Sequence, residues 1–490
     1  MDTRPAPSAP FTPALGRIVA TVSVGFVVTQ LDVTIVNIAL PRLSSALHAG
    51  VARLQWIVDA YTLAFAVLML SGGVLGDRYG ARRLYAAGLV VFALASLACG
   101  LAASPGALIA ARAVQGAGAA AMLPNSLALL NRACGHDRAL RARAVGLWTA
   151  AGAISIAAGP VAGGLLIAAF GWRSIFLVNL PLAAAGLAAT LAWVPAARGE
   201  TGEAGGAGTA RNLDLRGQLL AIVALTAFTG AVIEARPLGF LHVVVVGGLA
   251  LACVATWAFV ALEARVADPM LPLALLRNRT FSAAVRFGIC VNLTYYGTVF
   301  VLALYLQHAR GETPLQAGLA FLPLTGGFLL SNVVSGWAVA RYGNRAPMIV
   351  GALVAALGYA LLMPVDAHTP LAAILLPFLL IPSGMGLAVP AMTTAVLASV
   401  EPERAGTASA ALNTARQAGG AVGVAAFGAL AGNGLAAQVV TGLRIDAALS
   451  TALLLTAAWL ARRVVRHDPR QHDGPARKQA ERKPQTDTLR

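Results

Sequence analysis

What most constrains this chain is the recurrence of long apolar runs. Runs of roughly 18–28 residues, each long enough to cross a bilayer as a helix, follow one another almost to the end. They fall at 15–40, 54–75, 83–103, 105–131, 143–168, 173–195, 215–235, 239–263, 280–307, 314–340, 346–364, 370–398, 405–431 and 446–464, fourteen in all. Of the 490 residues, 58% are hydrophobic and only 11% are charged, too few charges to cover a soluble surface of this size. The expected fold class is an all-α polytopic membrane protein. The 51 glycines suit helices that pack closely where no hydrophobic effect drives them together. A transmembrane β-barrel would show short alternating segments instead.

Charge sets the expected orientation. Arg78, Arg82 and Arg83 follow the second run, Arg132, Arg138, Arg141 and Arg143 the fourth, and Arg198 and Arg211 the sixth. Arg277 and Arg279 follow the eighth, Arg341 and Arg345 the tenth, and Arg404 the twelfth, while the intervening loops are poorer in charge. Basic loops stay inside, so both termini are expected in the cytoplasm. The net charge of +16 is topogenic in this reading, and nucleic acid is set aside as a partner because no basic face exists outside the loops and tail. Cys99, Cys134, Cys253 and Cys290 lack metal-ligand spacing and read as free thiols. The N-terminus carries no cleavable signal pattern. Arginine replaces lysine almost everywhere, with Lys478 and Lys483 the exceptions, a bias that suggests a GC-rich bacterial genome.

An internal repeat divides the chain. Gly73–Arg82 aligns with Gly336–Arg345, including Arg78-Tyr79-Gly80 against Arg341-Tyr342-Gly343. Gly146, Gly159 and Gly163 align with Gly406, Gly419 and Gly423, and Gly116-Ala117-Gly118 aligns more weakly with Gly384-Met385-Gly386. Such repeats are the trace of many transporter folds. The expected organisation is an N-terminal tail (1–14), a six-helix half (15–195), a flexible cytoplasmic linker (196–214) and two inserted helices (215–263). A cytoplasmic loop (264–279), a second six-helix half (280–464) and a basic tail (465–490) complete it.

Charges inside the apolar runs are the candidate functional residues, since each costs a few kcal/mol or more at membrane depth unless paired, neutralised or hydrated. Asp32 lies in the first run, Asp59 in the second and Arg112, with Gln115 one turn on, in the fourth. At ~1.5 Å rise per residue, counted from the outer helix ends, the two acids and the base fall about 9–14 Å deep, on one level. Whether they face one another is not legible in sequence. If they do, burial favours the neutral carboxyl and a nearby Arg the charged one, so access could switch protonation. Arg112 can equally be a structural residue bonded to backbone carbonyls. Arg416, mid-run in the thirteenth segment, can be functional or a packing device.

Three motifs carry a resemblance. The segment Gly73 to Arg83, read as a loop joining runs two and three, contains Gly73, Asp77, Arg78, Gly80, Arg82 and Arg83 and resembles the cytoplasmic-loop signature of the major facilitator superfamily, with Ala81 where a basic residue is common. Arg112 to Gly118 resembles that superfamily's fourth-helix motif. Gly152, Gly159, Pro160, Gly163 and Gly164 in run five resemble the signature of its antiporters, with Pro160 expected to kink the helix. Together with Leu31–Pro41, Gln55–Tyr61, Phe176–Pro181 and Ala405–Gln417, the whole is similar to the fourteen-helix drug:proton antiporters (EmrB/QacA type).

The resemblance implies a major facilitator fold of two six-helix halves plus two central helices. It implies a conformational charge latch at Asp77 and its arginines, proton coupling or substrate binding at Asp32, Asp59, Arg112, Gln115 and Arg416, and export of a small hydrophobic drug or toxic metabolite by alternating access. Alternatives are an exporter of an endogenous metabolite or lipid, or a proton symporter; the Gly-Pro motif speaks against the symporter. The expected setting is the bacterial cytoplasmic membrane, with protons and the lipid bilayer as partners and the chain acting as a monomer. No enzymatic activity and no cofactor are expected beyond the proton gradient, and the absence of a G-x-x-x-x-G-K-[ST] loop argues against ATP-driven pumping.

Overall fold

A computed structural model describes residues 11–135, 137–195, 214–266, 273–401, 405–432 and 434–465. Most of the expected N-terminal tail, linker and C-terminal tail, and part of the 264–279 loop, lie outside the described residues. The helices are α1 (Pro13–Leu47), α2 (Val51–Tyr79), α3 (Ala81–Leu101), α4 (Pro105–Cys134), α5 (Arg138–Phe170), α6 (Ser174–Leu177), α7 (Asn179–Trp193), α8 (Leu215–Leu238) and α9 (Val243–Glu263). They continue with α10 (Leu273–Arg277), α11 (Arg279–Leu304), α12 (Pro314–Ala320), α13 (Leu322–Tyr342), α14 (Arg345–Ala360), α15 (Leu371–Ala398), α16 (Ala405–Leu430) and α17 (Ala436–Ala461), and a π-helical turn, Tyr305–Ala309, extends α11. No strand occurs among the described residues.

Twelve of the described helical segments are long and apolar enough to cross a membrane, against the fourteen runs expected. The other two runs are helical but differ in kind. α14 has 16 residues, and α16, at 26 residues, is interrupted by Asn413, Thr414, Arg416 and Gln417. The last run begins earlier than its apolar stretch implies: α17 starts at Ala436 rather than near 446, which places Asp446 inside the helix.

Helix pairings recur between the two ends of the chain. α4 packs on α2 and α3 as α15 packs on α13 and α14, and α1 lies against α5 and α7 as α11 lies against α16 and α17. The turns match too: Gly80 between α2 and α3 (φ +97°) and Gly343 between α13 and α14 (φ +71°) both take the left-handed side that glycine alone adopts freely. α8 and α9 pair with each other, and α8 lies against α2 and α16. Trp56 on α2 donates to Glu234 on α8 (3.3 Å), and Gln218 on α8 donates to the Val67 carbonyl (2.5 Å) and bonds Ser71.

Glycines set the closest crossings. A Cβ on Gly384 of α15 would strike the Gly351 carbonyl of α14 and approach the Ala355 nitrogen to 2.5 Å, whereas one on Gly326 of α13 would meet nothing within 4 Å. Overpacking a tight contact costs ~1–3 kcal/mol. Gly384→Val is therefore expected to lower the thermal midpoint of the solubilised protein by several degrees, and Gly326→Ala to leave it unchanged or raise it; a melt followed by tryptophan fluorescence checks both.

Candidate functional site

α4 carries Arg112 and Gln115 one turn apart, with Gly116 and Gly118 beyond them. A Cβ on Gly116 would strike the Tyr61 carbonyl of α2, and one on Gly118 would lie 2.8 Å from the Phe92 nitrogen of α3. Their absence lets α4 lie directly on both helices, which brings the polar side chains of five helices into one buried cluster.

Arg112 and Asp32 form an ion pair through Nη1 and Oδ2, with the two side chains 1% and 0% exposed. Arg112 Nε donates to the Ile57 carbonyl on α2 (3.1 Å) and Nη1 to Gln115 Oε1 (2.7 Å). The guanidinium lies 4.2 Å from the centre of the Tyr61 ring, a cation–π contact. Asp32 Oδ1 accepts from Gln115 Nε2 (2.9 Å) and from Asn179 Nδ2 on α7 (3.1 Å). Ser96 on α3 accepts from Gln115 (2.8 Å) and Asn179 (3.4 Å), and Cys99 Sγ donates to Gln115 Oε1 (3.7 Å). Arg112 thus holds a carboxylate and a backbone carbonyl at once.

Asp59 does not join this cluster, although it shares its depth. The two α2 positions that touch Arg112, Ile57 and Tyr61, flank Asp59 by two residues on either side. Two residues turn a helix by ~200°, so Asp59 points away from Arg112. It lies on the face of Gln55, one turn earlier, whose amide donates to the Val424 (2.9 Å) and Ala425 (2.6 Å) carbonyls of α16. Asp59 is fully buried, and neither carboxyl oxygen has a hydrogen-bond partner among the described residues.

Arg416 on α16 is half-buried and donates through Nε to Asn292 Oδ1 of α11 (3.2 Å) and through Nη1 to Asn413 Oδ1 (3.5 Å). Its partners are neutral amides, apart from the first cluster.

The segment expected as a loop is mostly helix. Gly73, Asp77 and Arg78 belong to the last two turns of α2, Arg82 and Arg83 to the first turn of α3, and Gly80 alone joins them. The α2–α4 crossing explains this: Asn125 on α4 donates to the Gly72 carbonyl (2.9 Å) and fills the space beside Gly76, so α4 supports α2 past Gly73. Asp77 is exposed and contacts no charged partner among the described residues; Arg82 donates to the Leu191 carbonyl at the end of α7 (3.0 Å), and Arg78 stacks on the Tyr79 ring (5.5 Å).

The antiporter-type glycines form a seam. α5 continues as one helix through Pro160. A Cβ on Gly159 would strike Thr34 of α1, one on Gly163 would lie 2.8 Å from Ile35, and Gly152 leaves room for the Phe26 ring, which stacks on Trp148 (4.1 Å). The same helix meets the second set of helices: a Cβ on Gly164 would lie 2.7 Å from the Pro314 carbonyl, and one on Gly318 of α12 would strike the Pro160 carbonyl. Gln307 Nε2 donates to the Ile38 carbonyl (3.0 Å), and Thr325 Oγ1 to the Ala157 carbonyl (3.3 Å). A cavity of about 560 Å³ lined by Arg42, Trp172 and Leu315 lies at the end of this seam and reaches neither Asp32 nor Asp59.

Sequence reasoning missed Ser96 and Cys99 as cluster members, neutral side chains with no signal among so many small residues, and it picked out the Phe176–Pro181 segment without assigning Asn179 to the site. It also missed Asp446, whose signal was the charge itself. No group of His, Cys, Asp or Glu among the described residues could hold a metal ion.

A polytopic helical bundle with a satisfied ion-pair cluster in one set of helices, and a glycine seam joining it to a second set, has the architecture of a membrane transporter. The family model of the Major Facilitator Superfamily matches residues 22–424, and the chain belongs to that superfamily. It is 40% identical over 410 residues to the methylenomycin A resistance protein of Streptomyces coelicolor, covering 84% of each chain. It is 38% identical to the multidrug resistance protein Stp of Mycobacterium tuberculosis (83% of this chain, 74% of that one) and 35% identical to the tetracenomycin C resistance and export protein of Streptomyces glaucescens (84% and 74%). Among solved structures, the nucleoside transporter NupG superposes with a TM-score of 0.64 at 13% identity, over 91% of this chain and 99% of that one, a likeness of fold alone. The chain is thus a multi-pass transporter that groups with drug-efflux members of its superfamily.

Removing one partner of a buried ion pair costs ~3–5 kcal/mol, because the other charge is left uncompensated. Arg112→Gln and Asp32→Asn are each expected to destabilise the protein strongly, and the double variant to lose less than the two costs combined. Arg112→Lys is not expected to rescue, since an ammonium cannot reproduce the guanidinium fork that reaches Asp32, Gln115 and Ile57 together. A double-mutant cycle of thermal midpoints measures the coupling.

Proposed function

We propose that this chain is a proton-driven exporter of small, largely apolar drugs or antibiotics, with Asp59 as the principal proton carrier. The observation that carries the reading is the contrast between two buried carboxylates in one set of helices. Asp32 has an arginine and two amide donors; Asp59 has none. A bare carboxylate in a dry site costs several kcal/mol, and binding a proton removes that cost. Asp59 also lies on the α2 face turned to α16, where movement between the two sets of helices changes its access to water. The Asp32–Arg112 cluster is then a fixed electrostatic anchor, and Gln115 holds both of its members. The drug-resistance names of relatives at 35–40% identity support the substrate class.

The geometry supports an inward-facing state in this reading. The α1–α2 turn and the end of α5 form the outer side, where Gln55, Gln307, Gly164 and Gly318 bind the two sets together. At the inner side Asp77 has no ion-pair partner among the described residues, as expected of a released latch. Both termini are then cytoplasmic, α14 and α16 cross the membrane with the other twelve to make fourteen, and α8–α9 form the inserted pair of a fourteen-helix drug:proton antiporter. In the cycle, substrate binds from the cytoplasm with Asp59 deprotonated. Protonation from outside then favours release, and loss of the proton inside resets the site. The exporter works as a monomer in the bacterial cytoplasmic membrane.

Everted membrane vesicles with an imposed pH gradient test this. The wild-type chain is expected to concentrate a lipophilic drug such as puromycin in a gradient-dependent, ionophore-sensitive manner. Asp59→Asn is expected to lose at least ~10-fold of that accumulation while still exchanging drug passively, since only the coupling is removed. Undiminished gradient-driven accumulation in Asp59→Asn would contradict the assignment.

A further inference from the structure

We infer that Asp446, with Tyr359, Thr298 and Ser450, forms a second proton-binding site, in the C-terminal set of helices and independent of Asp32 and Asp59. Asp446 lies ten residues into α17, ~15 Å along the helix axis, and is 0% exposed. Its Oδ1 accepts from Thr298 Oγ1 on α11 (2.9 Å) and from Ser450 Oγ one turn along α17 (3.0 Å). Its Oδ2 has no hydrogen-bond partner among the described residues. The Tyr359 hydroxyl on α14, equally buried, is also without a hydrogen-bond partner among the described residues, and it lies beside Thr294 and Thr298 within electrostatic reach of Asp446. Three helices thus bring one carboxyl and three hydroxyls together, with two buried polar atoms left over.

No cation compensates this carboxyl among the described residues. On α17 itself, Arg444 donates to the Val365 carbonyl (3.0 Å). On α16, Arg416 is engaged with Asn292 and Asn413. Arg286 of α11 is exposed, and Arg345 is the first residue of α14, nearly four turns from Tyr359. In the π-helical turn, His308 packs by Gly434 and Tyr305 donates to the Asp366 carbonyl (2.6 Å). Tyr295 and Tyr296 of α11 meet edge to face (5.4 Å), and Cys290 lies a turn below Thr294.

The contrast with Asp32 is sharp. An ion without a counter-ion in such a site costs several kcal/mol even after hydroxyl dipoles offset part of it. A proton on Oδ2 removes the charge while Oδ1 keeps its bonds from Thr298 and Ser450. The step is reversible binding of a proton to a carboxylate and needs no other reactant. Resting on the proton-driven reading above, this site would add a second proton to the cycle; the occupancy test below does not depend on that reading.

Infrared difference spectroscopy of the full chain in lipid, recorded as the pH is raised, reads the site directly. The wild-type spectrum is expected to contain a protonated-carboxyl C=O band that is lost in Asp446→Asn, a near-isosteric neutral replacement. The same band is expected to persist in Asp59→Asn, so a failure of the Asp59 assignment leaves this test untouched. In Thr298→Val and Ser450→Ala, which keep the carboxyl, the band is expected to shift in frequency as a hydrogen bond to Oδ1 is lost. These variants keep the site testable if Asp446→Asn does not fold. Wild-type and Asp446→Asn spectra with the same carboxyl bands, or an unshifted band in both hydroxyl variants, would overturn the proposal, leaving an ionised carboxylate held by hydroxyls.

Discussion

The cost of placing charge where water is absent organises this structure. Arg112 and Asp32 are affordable at membrane depth only because five helices deliver partners to them: α1 the carboxylate, α2 a carbonyl and an aromatic face, α3 a hydroxyl, α4 the guanidinium and its amide, α7 a second amide. Each donor of this cluster fixes a helix rotation, so the cluster specifies how the first set of helices packs as well as stabilising it. Glycines make it possible. Without Cβ atoms at Gly116 and Gly118, α4 reaches α2 and α3 closely enough for short hydrogen bonds to close.

α2 links this anchor to everything that would move. One face supplies the Ile57 carbonyl and the Tyr61 ring to Arg112, the opposite face turns Gln55 and Asp59 to α16, and Trp56 and Ser71 tie it to α8. A shift of α16 is therefore felt at Asp59 before it is felt at Asp32, which the five-helix cluster holds. The seam between α5 and α12 is of another kind, made of glycine, proline and backbone carbonyls with few hydrogen bonds across it. Such contacts separate and re-form without leaving a buried polar group unpaired, as a gate must.

Much of this was legible in the sequence, and the reasons differ residue by residue. Asp32 and Arg112 stood out because a charge inside an apolar run is costly and rare, and Gln115, Gly116 and Gly118 followed from their spacing. The depth of Asp59 was readable, but its direction was not: depth needs only a residue count, while direction needs the rotation of α2, which its partners set. Ser96 completes the cluster without any charge or period to announce it, and Asn179 sits in the noted Phe176–Pro181 segment but carries no charge to mark it as a partner of Asp32. Asp446 was hidden by a boundary, since the polar residues from Gln438 to Arg444 made the apolar run look as if it began there. The segment Gly73–Tyr79 reads as a loop from its glycines, yet α4 supports it as helix, because those glycines serve the crossing rather than a turn. α14 is short and α16 is polar in its middle, and neighbouring helices cover much of the surface of both.

The division of labour between a paired Asp32 and an unpaired Asp59 is most directly tested by counting protons released when drug binds. Purified protein in weak buffer with a pH indicator is titrated with a drug that the vesicle assay shows to be carried. The account predicts that wild-type protein releases protons on binding and that Asp59→Asn releases one fewer per drug bound. Undiminished release from Asp59→Asn, with the loss appearing instead in a folded Asp32→Asn variant, would contradict it and move proton exchange to the ion pair.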